Sequence, residues 1–107
     1  MDQALRRGLL EVCVLKVLSR ADSYGYQIIK DVAPIITISE STLYPILKRL
    51  ELSNCLSVYS VEHNSRLRKY YRITDLGKAR ISEFLSEWQA VMEIYNWIKE
   101  RENDDSE

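Results

Sequence analysis

Apolar side chains recur at helical spacing through the first twenty residues of the chain. Between Gln3 and Ser19 the apolar positions are Ala4, Leu5, Leu9, Leu10, Val12, Cys13, Val14, Leu15, Val17 and Leu18. After Gly8 they cover almost the whole circumference of a helix. A helix that is apolar all round must be buried on more than one side. We therefore expect it to contact both its own domain and a second subunit.

Two shorter helices are predicted next. The first runs from Tyr24 to about Val32, with Ser23 as its N-cap, and ends before Pro34. The second begins within Ile38–Thr42, where Ser39 or Ser41 can cap it, and ends near Ser53–Asn54. Its buried stripe is Leu43, Ile46, Leu47 and Leu50.

A β-hairpin and a long helix complete the predicted order. Strands are expected over Leu56–Glu62 and Lys69–Thr74, joined by a polar tip at His63–Arg68. Thr74 caps a final helix whose apolar positions alternate steps of three and four residues, as a helix-pairing seam requires. These positions are Ile81, Phe84, Leu85, Trp88, Val91, Met92, Tyr95 and Ile98.

The order of helix, helix, helix, hairpin and helix indicates a mainly α fold with a small β-hairpin (α+β). We interpret it as a winged helix-turn-helix with a C-terminal dimerisation helix. Residues 1–74 form the predicted DNA-binding domain, residues 75–101 the dimerisation helix, and residues 102–107 an acidic tail expected to be disordered. The alternative for the last helix is that it folds back on its own domain.

Charge is unevenly distributed along the chain, although the formal net charge is only −1. Ser41–Arg80 holds eight Lys and Arg against three acids, whereas the chain from Glu83 onward holds eight acids and two bases. A basic middle with acidic flanks is typical of one face that meets a polyanion.

The third helix and the hairpin carry the predicted double-stranded DNA contacts. The outward face of that helix offers hydroxyls and cations without an acid, which suits a major groove. The hairpin tip concentrates cations that a phosphate backbone would neutralise. An ordinary exposed helix face and a solvated basic loop are the alternatives. The candidate DNA-binding residues are Tyr24, Tyr26, Ser41, Thr42, Tyr44, Pro45, Lys48, Arg49, Arg66, Arg68 and Lys69.

A homodimer is expected to form along the final seam together with the first helix. Two-fold symmetry would match a palindromic operator. The candidate dimerisation residues are Leu5, Leu9, Val12, Ile81, Phe84, Leu85, Trp88, Val91, Met92, Tyr95 and Ile98. Trp97 lies off the seam and either packs against the partner or stays half-exposed.

Several other classes of protein are not favoured by the sequence. Cys13 and Cys55 stand in apolar surroundings and are expected to be buried thiols, with a redox switch as the alternative. One histidine, His63, and no spaced Cys/His cluster argue against a metal site, and we expect no cofactor. No catalytic dyad spacing or phosphate loop indicates an enzyme. No apolar run approaches the roughly 20 residues of a membrane span, so we expect a cytoplasmic protein.

Three stretches resemble the PadR family of bacterial transcriptional regulators. They are Tyr24–Ile28, Ser41–Glu51 and Arg68–Gly77. Together with the element order, the resemblance extends over about 95 residues, and the single C-terminal helix is similar to the small LmrR-like, multidrug-binding subfamily. Two positions depart from the family pattern, because Asn54 replaces the usual glycine and the hairpin tip His63–Ser65 contains no glycine.

The resemblance implies a homodimeric repressor and, in some members, a planar aromatic effector bound at the dimer centre. The residues that match such a pocket are Leu9, Trp88 and Met92. The alternative is that Trp88 simply fills the dimer core. A winged module that binds proteins or senses small molecules without DNA is the alternative function, and the salt dependence of binding would distinguish it. Arg49→Ala is expected to weaken operator binding by about 1–3 kcal/mol and to leave the fold intact.

Overall fold

The computed structural model describes the backbone of residues 1–104 and the side chains of residues 1–100. It contains four helices and a two-stranded antiparallel hairpin, which confirms the predicted fold class. In chain order the elements are α1 (Gln3–Leu18), α2 (Gly25–Val32), α3 (Glu40–Leu52), β1 (Leu56–His63), β2 (Arg66–Ile73) and α4 (Asp75–Asp104).

One hydrophobic core holds α1, α2, α3 and the base of the hairpin together. Val14 and Leu15 of α1, Ile28 of α2 and Leu43 of α3 have no exposed surface. The predicted stripe of α3 is buried along its whole length, since Ile46, Leu47 and Leu50 join the same cluster. Burying each such side chain stabilises the fold by about 1.5–3 kcal/mol. The core therefore fixes where the opposite face of α3 points.

The segment before α2 is the first place where the structure differs from the sequence analysis. Ser23 is not the N-cap of α2, because its backbone pairs with Tyr71 of β2 through hydrogen bonds of 3.2 and 2.8 Å. Ser23 is buried and forms a single antiparallel β-bridge with Tyr71. The residue at the N-cap is Tyr24, which makes no side-chain capping bond.

The hairpin is longer and its turn tighter than predicted. The register pairs Leu56 with Ile73 and His63 with Arg66, so only two residues form the turn. Asn64 and Ser65 both have positive φ angles, 52° and 65°. A two-residue turn with positive φ at both positions matches the right-handed twist of the two strands that it joins. The predicted six-residue tip is therefore mostly strand.

Two capping predictions agree with the structure. Asn54 adopts the left-handed conformation with φ 64° after α3. The Thr74 hydroxyl accepts a hydrogen bond from the Gly77 amide at 3.1 Å and donates one to the Asn54 carbonyl at 2.7 Å. Thr74 thus caps α4 and connects its start to the end of α3.

Only the first part of α4 packs on its own domain. Ile81, Phe84 and Trp88 are half-buried, whereas every residue from Gln89 to Glu100 is exposed. The helix continues through Asp104 and so includes the first three residues of the predicted tail, while residues 105–107 lie outside the described range. No helix in the described part of the chain is long and apolar enough to cross a membrane.

Candidate nucleic-acid interface

Within the described part of the chain, no other element covers the face of α3 opposite the core. Ser41, Tyr44, Pro45 and Lys48 are exposed on it, and Thr42 is half-buried at its edge. No carboxylate among the described side chains lies within ion-pair distance of Lys48. The predicted hydroxyl and cation face is thus available to a ligand.

One groove joins this face to the hairpin and to the start of α2. It has a volume of about 450 Å³ and brings together five of the predicted DNA-binding residues: Tyr24, Tyr26, Tyr44, Arg68 and Lys69. Gly25 forms part of its wall because the Tyr44 hydroxyl packs directly against that backbone, where a Cβ atom would overlap the phenol. The groove is therefore a polar, cationic cleft beside α3.

The helix ends at this surface carry unused amide donors. Tyr24 and Ser39 stand at the N-caps of α2 and α3, and neither makes a side-chain capping hydrogen bond. The Ser39 hydroxyl bonds to the hydroxyls of Ser41 and Thr42 at 2.9 and 3.3 Å. Uncapped amides together with the helix dipole favour a negatively charged group at these ends.

A ladder of tyrosine rings and guanidinium groups fixes the hairpin against the start of α2. The Arg68 guanidinium lies 4.1 Å from the centre of the Tyr24 ring, and that ring is 5.5 Å from Tyr70. Tyr70 stacks on Tyr59 at 5.7 Å, and Arg72 lies 5.0 Å from the Tyr59 ring. Cation–π contacts of this kind hold an arginine without neutralising it. Arg68 is thus positioned while its charge remains available.

Asp22 lies at the end of the ladder, and the sequence analysis did not single it out. Its Oδ2 accepts hydrogen bonds from the Tyr59 hydroxyl at 2.7 Å and from Arg72 Nε at 3.0 Å. The bond from Tyr59, and then the nearby Arg72, lower the pKa of Asp22 below its ordinary value of 3.8. The same bond to Asp22 raises the pKa of Tyr59. No local motif marks this pairing, because the partners are 37 and 50 residues away.

The predicted cations of the hairpin are all present at its surface. Arg66 and Lys69 are exposed and Arg68 is half-buried against Tyr24. Within residues 1–100 none of the three makes an ion pair with a carboxylate. Arg66 lies opposite His63 at the turn, so it is the farthest of the three from α3 along the strand.

Arg49 differs from the other candidates on α3. Its Nε donates to Glu11 Oε2 at 3.0 Å, and Arg80 of α4 donates to the other oxygen of Glu11 at 2.7 Å. Glu11 lies on α1 and is only 8% exposed. Arg49 is therefore engaged in a link between three helices rather than projecting freely beside Lys48. Its replacement by Ala is expected to reduce folding stability as well, contrary to the sequence-based expectation of an intact fold.

A second groove lies on the other flank of α3, and its cations were also missed. The start of α1 forms one wall and α3 the other, with a volume of about 610 Å³. Arg6 and Arg7 line it together with Ser41, Thr42 and Pro45. A helical pattern can place these arginines on α1 but cannot show that α1 runs alongside α3.

The predicted effector and dimer residues lie along α1 and α4. Leu9 and Trp88 line one groove of about 350 Å³ between these helices, and Trp88 stacks on Phe84 at 5.7 Å. Met92 is exposed on the same helix but does not line this groove within one chain. Val12 and Ile81 are half-buried in their own domain. The exposed members of the dimerisation set are Leu5, Leu85, Val91, Met92, Tyr95 and Ile98, and Trp97 is exposed as well.

The two cysteines differ in environment. Cys55 is buried in the core, whereas Cys13 is half-buried beside it. Burial raises the pKa of the Cys13 thiol. The thiol therefore has less thiolate character than a free cysteine, as expected for a packing residue.

Comparison with known proteins assigns the chain to a family. The model of the transcriptional regulator PadR-like family matches residues 14–83. An uncharacterised protein X of Lysinibacillus sphaericus is 37% identical over 99 residues, which cover 88% of this chain and 91% of that protein. A PadR family transcriptional regulator from Eggerthella lenta is 37% identical, with a TM-score of 0.81 over 91% of this chain and 87% of that chain.

A more distant structure shares the fold. Bacillus subtilis PadR in complex with operator DNA has a TM-score of 0.68 and 23% identity, over 72% of this chain and 46% of that chain. The family match covers the helix-turn-helix, the hairpin and the start of α4, which include the elements that build the groove beside the hairpin. The chain belongs to the PadR-like family of transcriptional regulators.

Proposed function

We propose that the protein is a sequence-specific DNA-binding repressor that acts as a homodimer on a palindromic operator. The family consists of transcriptional regulators, and the structure of one PadR relative contains operator DNA. Because its ligand is genomic DNA, we place the protein in the cytoplasm. The proposal assigns it binding and no catalysis.

The observation that carries the proposal is the uncovered face of α3 beside a cationic groove. Lys48, Arg68 and Lys69 have no carboxylate partner among the described side chains, and the starts of α2 and α3 lack side-chain caps. Each of these features favours phosphate oxygens. The side chains between them, Thr42 and Tyr44, can then reach base edges. Arg66 would contact the backbone farther along the hairpin.

The homodimer is supported by the apolar surface of α4. Beyond Trp88 none of the described residues covers the helix, yet the seam places Val91, Met92, Tyr95 and Ile98 on it. A contiguous apolar stripe of this size normally marks an interface. A second copy supplies a complementary seam, because an isologous interface pairs the same surface with itself.

The experiment that tests this function is a footprint followed by a salt titration. The purified protein is expected to protect a short inverted repeat in the DNA beside its own gene. Its affinity for that duplex should fall steeply as salt rises, because phosphate contacts release counterions. Lys48→Gln should lower affinity and flatten the salt slope, while Lys16→Gln, near the end of α1 in a groove away from α3, should do neither. A protein that protects no DNA, or binds with no salt dependence, would overturn the proposal.

Repression can be tested separately from binding. A reporter placed downstream of the protected repeat should be less active when the protein is expressed. The Lys48→Gln protein should restore most of the reporter activity. Increased reporter activity with the wild-type protein would show activation and refute the repressor role.

A planar aromatic effector at the dimer centre is supported by the stacked pair Phe84 and Trp88. The groove that Leu9 and Trp88 share is open along α4, and Met92 stands one turn farther along the same seam. Apolar walls with exposed aromatic rings bind flat ligands by stacking and burial. A planar cationic dye should quench Trp fluorescence of the Trp97→Phe protein, in which Trp88 is the remaining reporter. Equal affinity of the dye for Trp88→Ala, measured by dye anisotropy, would exclude this site.

A further inference from the structure

The groove between α1 and α3 contains two adjacent arginines without an assigned role. Arg6 is half-buried and Arg7 exposed, and both line the groove together with Ser41, Thr42 and Pro45 of α3. Arg6 and Arg7 therefore lie beside α3, on the side of that helix opposite the groove at the hairpin.

The charges of these arginines are not neutralised within the described structure. No carboxylate lies within ion-pair distance of Arg6 or Arg7 among the described side chains. Asp2 lies four residues before Arg6, and Glu11 lies four residues after Arg7. Asp2 Oδ2 accepts a hydrogen bond from the Leu5 amide at 3.0 Å, and the two oxygens of Glu11 accept from Arg49 and Arg80. Two neighbouring cations repel each other, and an external anion would remove that cost.

The placement of the cations on two sides of α3 matches the shape of duplex DNA. A helix inserted in a major groove, about 12 Å wide, has a sugar-phosphate backbone on each side. Arg68 and Lys69 border α3 on the hairpin side, and Arg6 and Arg7 border it on the α1 side. The exposed residues Ser41, Pro45 and Lys48 lie between these two cationic walls.

We propose that Arg6 and Arg7 bind the phosphate backbone of the operator on the side of α3 opposite the hairpin. This inference rests on the proposed DNA-binding function and adds a second backbone contact to it. The contact sets the depth and tilt of α3 in the groove, because backbone contacts on both walls fix orientation whereas contact on one wall leaves a rotation free.

The test compares the salt dependence of operator binding in two matched double variants. Arg6→Gln/Arg7→Gln removes two charges from the α1 side of α3. Lys16→Gln/Arg20→Gln removes two charges from the other end of α1 and the residues after it, where they line a different groove. Circular dichroism and urea unfolding of each variant show that both remain folded.

The slope of log K against log salt changes by about 0.9 for each phosphate contact that is lost. A dimer with Arg6→Gln/Arg7→Gln loses up to four contacts, so we expect its slope to be shallower by about 2 to 4. The Lys16→Gln/Arg20→Gln slope should equal that of the wild type, and Arg6→Lys/Arg7→Lys should restore most of the lost slope.

The results separate this inference from the proposed function. If the salt slope of the wild type is steep and that of Arg6→Gln/Arg7→Gln is the same, the α1 contact is refuted and the proposed DNA binding stands. Equal flattening in both double variants also refutes the α1 contact, because the effect would then follow overall charge alone. A wild-type protein that binds no DNA overturns both proposals.

Discussion

Glu11 is the residue through which three helices meet. It is the only charged side chain in the buried part of the described structure, and its two carboxylate oxygens hold Arg49 of α3 and Arg80 of α4 separately. A buried carboxylate is retained at low cost only when it is paired, so the two arginines are required for its burial. The same bonds set α3 relative to the start of α4.

We expect Glu11→Gln to destabilise the fold by about 1–3 kcal/mol, because two partly buried arginines lose their counter-ion. This loss of stability is smaller than the loss expected for a fully buried ion pair, because both arginine side chains are 40% exposed. Urea unfolding at neutral pH measures it. Glu51→Gln, an exposed carboxylate on α3, serves as the control and should change stability by less than about 0.5 kcal/mol. Equal stabilities of the two variants would contradict the role of Glu11.

Asp22 predicts a pH dependence whose sign follows from its bonds to Tyr59 and Arg72. Its pKa is lowered on folding, so its ionised form stabilises the fold at every pH well above the ordinary value of 3.8. That contribution is lost as pH falls below 3.8 through the lower pKa of the folded state. We therefore expect Asp22→Asn to be less stable than the wild type at pH 7, and the difference to shrink below pH 3.8.

Urea unfolding of both proteins between pH 7 and pH 2.5 measures this difference. Glu62→Gln removes an exposed carboxylate from the same hairpin and controls for the general effect of charge. A gap between wild type and Asp22→Asn that stays constant across the range would show that Asp22 acts through packing alone.

At the scale of elements, periodicity was sufficient to predict which segments are helices and strands. The stripe of α3, the left-handed Asn54 and the Thr74 cap are local features, and the structure confirms each of them. Local signals failed where a distant segment decides the conformation. Ser23 looks like a cap, but its backbone pairs with Tyr71 of β2, 48 positions farther along the chain.

The same limit applies to the candidate site. A helical projection of α3 groups Arg49 with Lys48, and only the position of α1 shows that Glu11 engages the arginine. The neighbourhood of Arg6 and Arg7 with Ser41 likewise depends on how α1 crosses α3. The hairpin was predicted too short because Asn64 and Ser65 accept positive φ angles without glycine. What the sequence could not supply is the set of contacts between elements.

The contact between the start of α2 and α3 yields a test of the groove beside the hairpin. A Cβ atom at Gly25 would overlap the hydroxyl end of Tyr44, which is half-exposed and free to swing away. We expect Gly25→Ala to change stability by less than about 1 kcal/mol, since the improved helix propensity offsets the clash. It should still weaken operator binding by about 1 kcal/mol, because the Tyr44 hydroxyl is displaced from the groove that we propose faces the DNA.

A double-mutant cycle with Tyr44→Phe separates this effect from a general disturbance of α2. If both single variants lose the same hydroxyl contact, the double variant should bind about as weakly as either one. Fluorescence anisotropy with the operator duplex gives the four affinities, those of the wild type, the two single variants and the double variant. Losses that add in the double variant would mean that Gly25→Ala acts on DNA binding by another route.

The whole molecule is shaped like a compact domain with a projecting arm, 71 Å along its longest axis. The arm is the distal part of α4, where apolar residues of the seam alternate with charged ones and no other residue that the structure describes covers them. If two arms pair, the dimer axis passes between the domains and each α3 faces the same side of one duplex. Recognition helices about 34–36 Å apart would then fit successive major grooves.

We expect Ile98→Glu to prevent the proposed dimer from forming, so that the protein sediments as a monomer of 12.6 kDa and its operator affinity falls by about 100-fold or more. Ile98 is 58% exposed and lies far beyond the packed part of α4, so a charge there cannot disturb the folding of its own domain. Sedimentation velocity at micromolar concentration gives the mass, and near-unchanged urea unfolding of the domain confirms that the fold persists. Gln89→Glu adds the same charge to the same helix off the seam and should remain dimeric. A wild-type protein that sediments at 12.6 kDa, with or without DNA, would refute the two-fold arrangement, because a single α3 cannot span two half-sites.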